Sequence, residues 1–338
     1  MSDLPAALDK LIHLNDLSQS EAYQVMAEFI SGEADPVLIT SILVALRMKG
    51  ETIPEITGCA MAMREKAIPV QVSGPVMDCC GTGGDGSHSF NISTAVALIL
   101  AAAGVKVAKH GNRAISSQSG SADVLQALEI PTGLDAEGVR KSIEETNFAF
   151  MLAPLYHPAM KNVMPVRRAL GTRTVFNILG PLTNPACSEY QLLGVFDPTL
   201  VEPMANVLQA LGKKRAMVVH GGGLDEIALH TSTQVCELKD GEIISYTIDP
   251  GRLGFTECRL EDLRGGDAQA NADIIRAIFD GQEQGARRNA VLINTGAALM
   301  IGGKATSLAE GVRLAAETID SGAANAKLRE LSTMESTS

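Results

Sequence analysis

The chain has 338 residues, a formal net charge of −11, 46% hydrophobic residues and no tryptophan. This apolar content is enough for a large core in one or two domains. The acidic balance argues against nucleic acid and anionic membranes as partners, because both favour a basic surface. No segment reaches roughly 18 uninterrupted apolar residues and no charged leader precedes an apolar run, so we expect a cytoplasmic protein. The six cysteines have no CxxC spacing and are expected to be reduced.

Residues 1–68 are predicted to form a small all-helical domain of four short helices. The pairs Ser18/Glu21 and Thr52/Glu55 have the spacing of capping boxes, in which each partner binds a free backbone N–H group at the start of a helix. Asp35-Pro36 supplies another helix start.

After Pro69, segments of strand length alternate with helical segments, which predicts an α/β domain over residues 69–338 with a mainly parallel central sheet. The strands are expected near residues 76–80, 105–108, 148–152, 191–195, 216–220 and 243–248. Closing helices are expected at residues 271–279, 287–301 and 308–321.

A glycine-rich loop follows the first predicted strand. Residues 81–86 are Gly-Thr-Gly-Gly-Asp-Gly, and an apolar helical run begins after Asn91. Glycine lets backbone N–H groups turn inward, and the helix N-terminus adds unpaired donors, so the loop is suited to phosphate. For this loop alone, a tight structural turn remains the alternative. It has no P-loop lysine, and Asp85 is unlike a dinucleotide-binding loop; a backbone amide or a bridging Mg²⁺ would account for its carboxylate.

A second polar loop, residues 109–123, follows the next predicted strand. A strand, a crossover helix and a parallel strand form a right-handed unit, which brings both loops to one edge of the sheet. Lys109 and Arg113 bring positive charge, while serines and an asparagine bring directional hydrogen bonds. Two such loops facing one ligand indicate a substrate with two separate phosphate groups.

Asp225 and Glu226 follow a buried-strand pattern and three glycines, so they are expected in a loop at the end of a strand. Adjacent acids in a loop are commonly only solvated surface, but their hard oxygen atoms suit Mg²⁺.

Arg167 has a planar guanidinium that matches a carboxylate. His157-Pro158 has two interpretations, an acceptor-site residue or only a helix start.

Together these motifs resemble the anthranilate phosphoribosyltransferases, which catalyse the second step of tryptophan biosynthesis. The resemblance covers nearly the whole chain. It includes residues 17–18, 21–22, 46–47, 49–52, 81–85, 91–94, 109–123, 157–160, 165–168, 173–185 and 223–226. It implies transfer of phosphoribose from phosphoribosyl pyrophosphate (PRPP) to the amine of anthranilate, with Mg²⁺ as cofactor. It further implies the nucleoside phosphorylase/phosphoribosyltransferase fold, in which helices within residues 158–184 complete the helical domain, and a homodimer formed through the N-terminal helices.

The resemblance also implies the roles of individual residues. The PRPP-binding residues would be Gly81, Gly84, Asp85, Ser89, Asn91, Ile92, Ser93, Thr94, Lys109, His110, Gly111, Asn112, Arg113, Ala114, Ile115, Ser116, Ser117 and Ser121. The anthranilate-binding residues would be Gly81, Asn112, His157, Arg167 and Pro181. Ser93, Asp225 and Glu226 would bind the metal. No obligatory acid or base is expected, because an aromatic amine is largely unprotonated at neutral pH.

Two rival functions are considered. Pyrimidine nucleoside phosphorylases share the fold and a similar Lys-His-Gly-Asn loop, but their glycine loop carries a lysine where this chain continues with residues 86–89, Gly-Ser-His-Ser. A non-catalytic nucleic-acid-binding relative would need a basic groove, which this acidic chain is not expected to form. Two departures from the family are Gln118, where many relatives have a basic residue, and Cys79-Cys80, in place of an aliphatic pair.

Overall fold

The computed structural model describes residues 3–114 and 118–334. It opens with the helices α1 (Leu4–Ile12), α2 (Gln19–Ser31), α3 (Pro36–Lys49) and α4 (Ile53–Glu65). The predicted helix starts are confirmed. Ser18 and Glu21 bind each other's backbone N–H groups, and the Glu55 carboxylate accepts a hydrogen bond from the N–H of Thr52. The Asp35 carboxylate accepts from the N–H of the second residue of α3. These local contacts explain where the helices begin.

Among residues 3–114 and 118–334, seven strands form one sheet in the order β3-β2-β1-β4-β5-β6-β7. They are β1 (Met77–Gly81), β2 (Val107–Gly111), β3 (Phe148–Leu152), β4 (Tyr190–Gly194), β5 (Arg215–His220), β6 (Thr233–Lys239) and β7 (Glu242–Ile248). The strands β1 to β5 pair in parallel, whereas β6 and β7 are antiparallel. The mainly parallel sheet is therefore confirmed, as are the six predicted strands.

Strand β6 is absent from the sequence-based prediction because polar residues such as Gln234 and Glu237 interrupt its apolar pattern. It forms a hairpin with β7 through Asp240-Gly241, and these two residues have φ angles of 52° and 82°. An Asp-Gly pair is the preferred turn of a two-residue hairpin, because both positions require positive φ. The signal for this strand pair was thus present in the turn.

The other α-helices of the described residues follow in chain order. They are α5 (Ile92–Ala102), α6 (Ser121–Ala127), α7 (Ala136–Thr146), α8 (Ala153–Tyr156), α9 (Met164–Leu170), α10 (Phe176–Leu179), α11 (Val201–Ala210), α12 (Ala268–Phe279), α13 (Ala286–Ile301), α14 (Leu308–Asp320) and α15 (Ala323–Ser332). Successive strand residues point to opposite faces: Met217 and Val219 of β5 pack with α5 and α13, and Ala216 and Val218 pack with the N-terminal helices. Both faces are therefore buried. Within the described ranges, no helix is long and apolar enough to span a membrane.

The segment of residues 158–184 leaves the sheet after β3 and packs against the N-terminal helices. Val166 and Phe176 share a buried apolar cluster with Phe29 of α2. The side-chain amide of Asn162 donates to the carbonyl of Ile30 at 2.8 Å. The chain then returns to the sheet as β4, beside β1. Segment 158–184 thus lies between the helices and the part of the sheet where the strand order reverses.

Candidate active site

Strands β1 and β4 end side by side, with Gly81 paired to Gly194. The chain continues from β1 to β2 on one side and from β4 to β5 on the other, and such a reversal of strand order leaves a crevice that binds ligands in α/β sheets. The loop after β5 crosses this crevice. A Cβ atom on Gly81 would lie 2.1 Å from Oδ2 of Asp225, and one on Gly194 would lie 1.5 Å from the backbone oxygen of Asp225. The close approach of this loop requires glycine at both positions.

The glycine loop is tied to the acidic loop by hydrogen bonds. Gly83 has φ of 67°, and its N–H donates to Oδ2 of Asp225 at 2.7 Å. The N–H of Asp225 donates in turn to Oδ2 of Asp85 at 3.2 Å. The Asp85 carboxylate also accepts from the N–H and hydroxyl groups of Ser87. Backbone amides therefore account for the carboxylate inside this loop, as one of the two predicted explanations stated.

The start of helix α5 faces the same crevice. The Asn91 side chain does not cap it: its Nδ2 donates to the carbonyl of Ser119 at 3.3 Å, which joins the two loops. The N–H of Ser93 donates to the Glu226 carboxylate. The Thr94 hydroxyl is buried and has no hydrogen-bond partner among the described residues. The start of α5 is thus an anion site that holds a carboxylate of the protein itself.

The two remaining predicted residues near this helix have different environments. Ile92 is buried in the core, so only its backbone is available to a ligand. Ser89 forms an antiparallel bridge with Arg264 and donates its N–H to the hydroxyl of Ser87. Both residues support the loop in this structure.

The acidic loop concentrates negative charge. The side chains of Asp225 and Glu226 keep some solvent exposure but are surrounded by protein atoms. Burial, and next the charge of Asp85, raises the pKa of Asp225. Burial, and next the charge of Asp225, raises the pKa of Glu226 well above 4.5. A divalent cation would relieve this repulsion.

Lys109 supplies the nearest buried positive charge. The sequence places it at the start of the second loop, but in the structure it lies within β2. Its Nζ lies 2.6 Å from the carbonyl oxygen of Cys79 in β1 and 3.3 Å from Oγ of Ser93 at the start of α5. Its charge opposes the rise in the pKa of Glu226. Lys109 therefore lies close to the start of α5 and to the acid pair.

The donor set at this place fits magnesium. The Ser93 hydroxyl and the carboxylates of Asp225 and Glu226 are hard oxygen donors, and Mg²⁺ takes one or two carboxylates with waters and substrate phosphates completing its shell. In the part of the chain that the structure describes, no three His, Cys, Asp or Glu side chains form a cluster that could hold a metal by themselves. A Mg²⁺ ion held by these three residues would therefore need a substrate phosphate to complete its coordination shell.

The second loop is shaped by Asp123. Its Oδ2 accepts from the N–H groups of Ala114 at 2.8 Å and Gly120 at 2.9 Å, and its Oδ1 pairs with Arg113 at 3.2 Å. Predicted residues Ile115, Ser116 and Ser117 lie outside the described residues. The Asp123 carboxylate thus joins the two ends of the described part of this loop.

The remaining predicted residues of this loop lie where it meets α6. The hydroxyl of Ser121 donates to the carbonyl of Asn112 at 3.4 Å. A Cβ atom on Gly111 would lie 2.3 Å from that hydroxyl. The Asn112 side chain accepts from the N–H of Arg113 and is otherwise exposed.

Two histidines form the wall next to segment 158–184. The ring centroids of His110 and His157 are 5.1 Å apart, and both rings contact the backbone of the turn at residues 180–183, which contains Pro181. Burial lowers the pKa of each to about 4. Both Nε2 atoms are buried without a hydrogen-bond partner among the described residues. These rings are neutral at neutral pH.

Arg167 stands apart from this pair. Its guanidinium lies 4.9 Å from the ring centroid of Phe176, and burial lowers its pKa. Among the described residues, no carboxylate lies within 4.0 Å of it, and it shares no hydrogen bond with the other predicted site residues. A half-buried guanidinium without a carboxylate is suited to receive one from a ligand.

Sequence reasoning missed Gly194 and the role of Asp123. Gly194 lies near the end of a predicted strand, and a glycine at that point is a signal for close backbone approach. Asp123 lies three residues after Gly120, the position of an acidic residue in the first turn of a helix. Both signals were available, but neither identifies its partner loop.

An open sheet with a glycine-rich loop, a second polar loop and an acidic loop at its switch point, flanked by a helical layer, is typical of a group-transfer enzyme for phosphorylated substrates. Residues 5–67 match the family model described as "Glycosyl transferase family, helical bundle domain", and residues 73–325 match "Glycosyl transferase family, a/b domain". Anthranilate phosphoribosyltransferase of Clostridium kluyveri is 53% identical over 97% of this chain and 98% of its own length. The chain belongs to the anthranilate phosphoribosyltransferase family.

Solved structures agree with this assignment and with the predicted fold type. The crystal structure of anthranilate phosphoribosyltransferase from Thermus thermophilus has a TM-score of 0.91 and 46% identity, covering 96% of this chain and 98% of that one. The enzyme from Saccharomyces cerevisiae, solved in complex with PRPP and Mg, has a TM-score of 0.89 and 27% identity over 97% and 96% of the two chains.

Proposed function

We propose that this chain transfers the 5-phosphoribosyl group of PRPP to the amine of anthranilate, giving N-(5-phosphoribosyl)anthranilate and pyrophosphate. The observation that carries the proposal is the meeting of the glycine loop, the start of α5 and the acidic loop at one crevice, through Gly83, Ser93, Asp225 and Glu226. Family membership and the PRPP complex of the yeast relative support it.

The donors of the crevice divide between the two ends of PRPP. Gly81, Gly84, Asp85, Ser89 and residues 91–94 would bind the pyrophosphate, and the second loop would bind the ribose phosphate. Ser93, Asp225 and Glu226 would hold Mg²⁺, which when bound neutralises charge on the leaving pyrophosphate. Arg167 would bind the anthranilate carboxylate, while Gly81, Asn112, His157 and Pro181 would surround its ring.

Positioning and electrostatics would supply most of the acceleration. The anthranilate amine is neutral and needs no strong base, and the buried histidines are uncharged at neutral pH. Backbone N–H groups that are already oriented cost no reorganisation as charge develops on the leaving group.

The test of the function uses the fluorescence of anthranilate. Its emission is expected to fall when the protein is mixed with PRPP and Mg²⁺, and to remain constant when PRPP is left out or Mg²⁺ is chelated. The chain contains no tryptophan, so protein emission interferes little. Constant emission with every component present would refute the proposal, and phosphorolysis of a pyrimidine nucleoside by the same sample would favour the phosphorylase alternative.

Arg167→Ala and Lys109→Ala are expected to separate the two substrates. Arg167→Ala should mainly weaken anthranilate binding, and Lys109→Ala should mainly weaken PRPP binding, because Lys109 contacts Ser93 at the start of α5. A lost charge-assisted hydrogen bond of about 1.5 to 3 kcal/mol corresponds to roughly ten- to a hundredfold in affinity. The two KM values measure this, with the exposed neighbour Arg168→Ala as control. If both variants changed only the KM of PRPP, the acceptor would bind elsewhere.

His110→Ala and His157→Ala are each expected to retain measurable turnover. Since burial lowers both pKa values to about 4, neither ring titrates near neutrality. With saturating Mg²⁺, kcat should therefore vary gently from about pH 6.5 to about pH 8. Complete loss of turnover in either variant, with both substrates still bound and the fold intact, would reveal a general acid or base.

We also propose a cytoplasmic homodimer formed through the helical domain, which would comprise residues 1–68 and the helices within 158–184. Apolar side chains are exposed on the N-terminal helices and on the turn after α1: Ile12 is 60%, Leu14 and Val37 are each 71%, and Met48 is 81% exposed. An exposed apolar surface of this kind is typical of an interaction site. Sedimentation should give twice the chain mass of 35.5 kDa at micromolar concentration. A monomer under these conditions would contradict the proposal.

A further inference from the structure

Arg173 connects the two halves of the crevice. It lies between α9 and α10, on the same segment 158–184 as Arg167. Its guanidinium stands 3.9 Å from the ring centroid of Phe196, and its Nη2 donates to the carbonyl of Gly84 in the glycine loop. A Cβ atom on Gly84 would lie only 3.1 Å from Nη2, and the φ of this residue is +74°. Glycine therefore permits this approach.

Phe196 is itself bound to the glycine loop. Its N–H donates to the hydroxyl of Thr82 at 3.0 Å, and the N–H of Thr82 donates to the carbonyl of Gly194 at 2.9 Å. The loop is thus held by the backbone after β4 on one side and by Arg173 on the other. We call Arg173 and Phe196, with their contacts to Thr82 and Gly84, the clamp.

The positive charge of Arg173 is not neutralised by an ion pair within the described residues, so it can strengthen the contact with the carbonyl of Gly84. None of the described acidic side chains forms an ion pair with it. Its planar guanidinium can stack on the ring and donate in the same plane, whereas a lysine ammonium could donate but not stack. The clamp therefore depends on arginine in particular.

We propose that Arg173 is a positioning residue that couples the acceptor segment to the pyrophosphate loop. The guanidinium keeps both contacts only while the glycine loop and segment 158–184 hold their present relative position. A ligand that orders the loop therefore also orders the segment that carries Arg167 and Pro181, and the affinity for the aromatic carboxylate rises. This inference rests on the proposed function, because it takes the loop as the pyrophosphate site.

The test measures anthranilate binding by fluorescence, with and without pyrophosphate and Mg²⁺, which cannot convert anthranilate to product. In the unsubstituted protein, saturating pyrophosphate with Mg²⁺ should lower the Kd of anthranilate at least about fivefold, within the usual range of coupling between sites. In Arg173→Ala and Phe196→Leu the same addition should change this Kd less than about twofold. Arg173→Lys should be intermediate.

Two controls distinguish a loss of coupling between pyrophosphate and anthranilate binding from a general structural defect. Arg168→Ala removes a positive charge from the same segment and should retain full coupling. The Kd of anthranilate without pyrophosphate should be unchanged within about twofold in Arg173→Ala, since a merely structural defect would weaken binding in both conditions. If the alanine variant does not fold, Arg173→Lys and Phe196→Leu decide the question.

Equal coupling in the unsubstituted protein and in the clamp variants would overturn the inference, and so would an absence of coupling in the unsubstituted protein. Consumption of anthranilate with PRPP is measured on the same unsubstituted sample. If that reaction occurs while the clamp variants keep full coupling, the inference fails and the proposed function stands. If the reaction does not occur, the proposed function fails.

Discussion

Gly194→Ala is expected to lower kcat/KM by at least about a hundredfold. The new Cβ atom would lie 1.5 Å from the backbone oxygen of Asp225 and 2.2 Å from its carbonyl carbon. These are backbone atoms, so the acidic loop must shift as a whole, and a displacement of about 1 Å at catalytic groups can cost about a hundredfold. Overpacking of this kind also destabilises a fold by about 1 to 3 kcal/mol. Steady-state kinetics and urea unfolding measure the two effects.

Gly133→Ala is the matched control, because a Cβ atom there has no neighbour within 4 Å and the residue does not require a left-handed backbone. It should behave like the unsubstituted protein in both measurements. Near-normal kinetics for Gly194→Ala would show that the loop position seen here is not needed for turnover.

Asp225→Asn combined with Glu226→Gln is expected to raise the Mg²⁺ requirement and to reduce kcat by roughly a hundred- to a thousandfold, the usual cost of removing an electrostatic stabiliser of the transition state. The fold should survive. In the structure these carboxylates accept from the N–H group of Gly83, in the glycine loop, and from that of Ser93, a residue that we assign to pyrophosphate. The variant should therefore bind pyrophosphate without Mg²⁺ more tightly than the unsubstituted protein does. Calorimetry in EDTA measures this.

The same variant should be at least as stable as the unsubstituted protein in EDTA. Because burial raises both pKa values, the folded state binds protons more tightly than the unfolded state. The stability contributed by each carboxylate is therefore lost as the pH rises from its ordinary pKa through the folded one. Urea unfolding from about pH 5 to about pH 8 should show this loss in the unsubstituted protein and less of it in the variant. Glu257→Gln, which changes an exposed acid, serves as the control for the unfolding measurement. In the kinetic measurement, an unchanged rate of the double variant at low Mg²⁺ would disprove the metal assignment.

Much of the architecture could be read from local sequence. The capping pairs Ser18/Glu21 and Thr52/Glu55 act within a few residues, and so do the apolar strands and the turns that bound them. The prediction that the glycine loop and the loop after Lys109 bind phosphate has the same local basis, because it rests on backbone conformation and charge. The family resemblance then supplied roles for residues that no local pattern defines.

The geometry of the site depends on contacts between distant parts of the chain. Asp225 and Asp85 are 140 residues apart and meet because β4 returns beside β1, so that the loop after β5 crosses the crevice. The lowered pKa values of His110 and His157 result from burial against residues 180–183, which only packing could establish. The contact of Arg173 with Gly84 has the same origin. Sequence determined the chemistry of each loop, whereas strand order and packing decided which loops face each other, because register and burial depend on the whole chain.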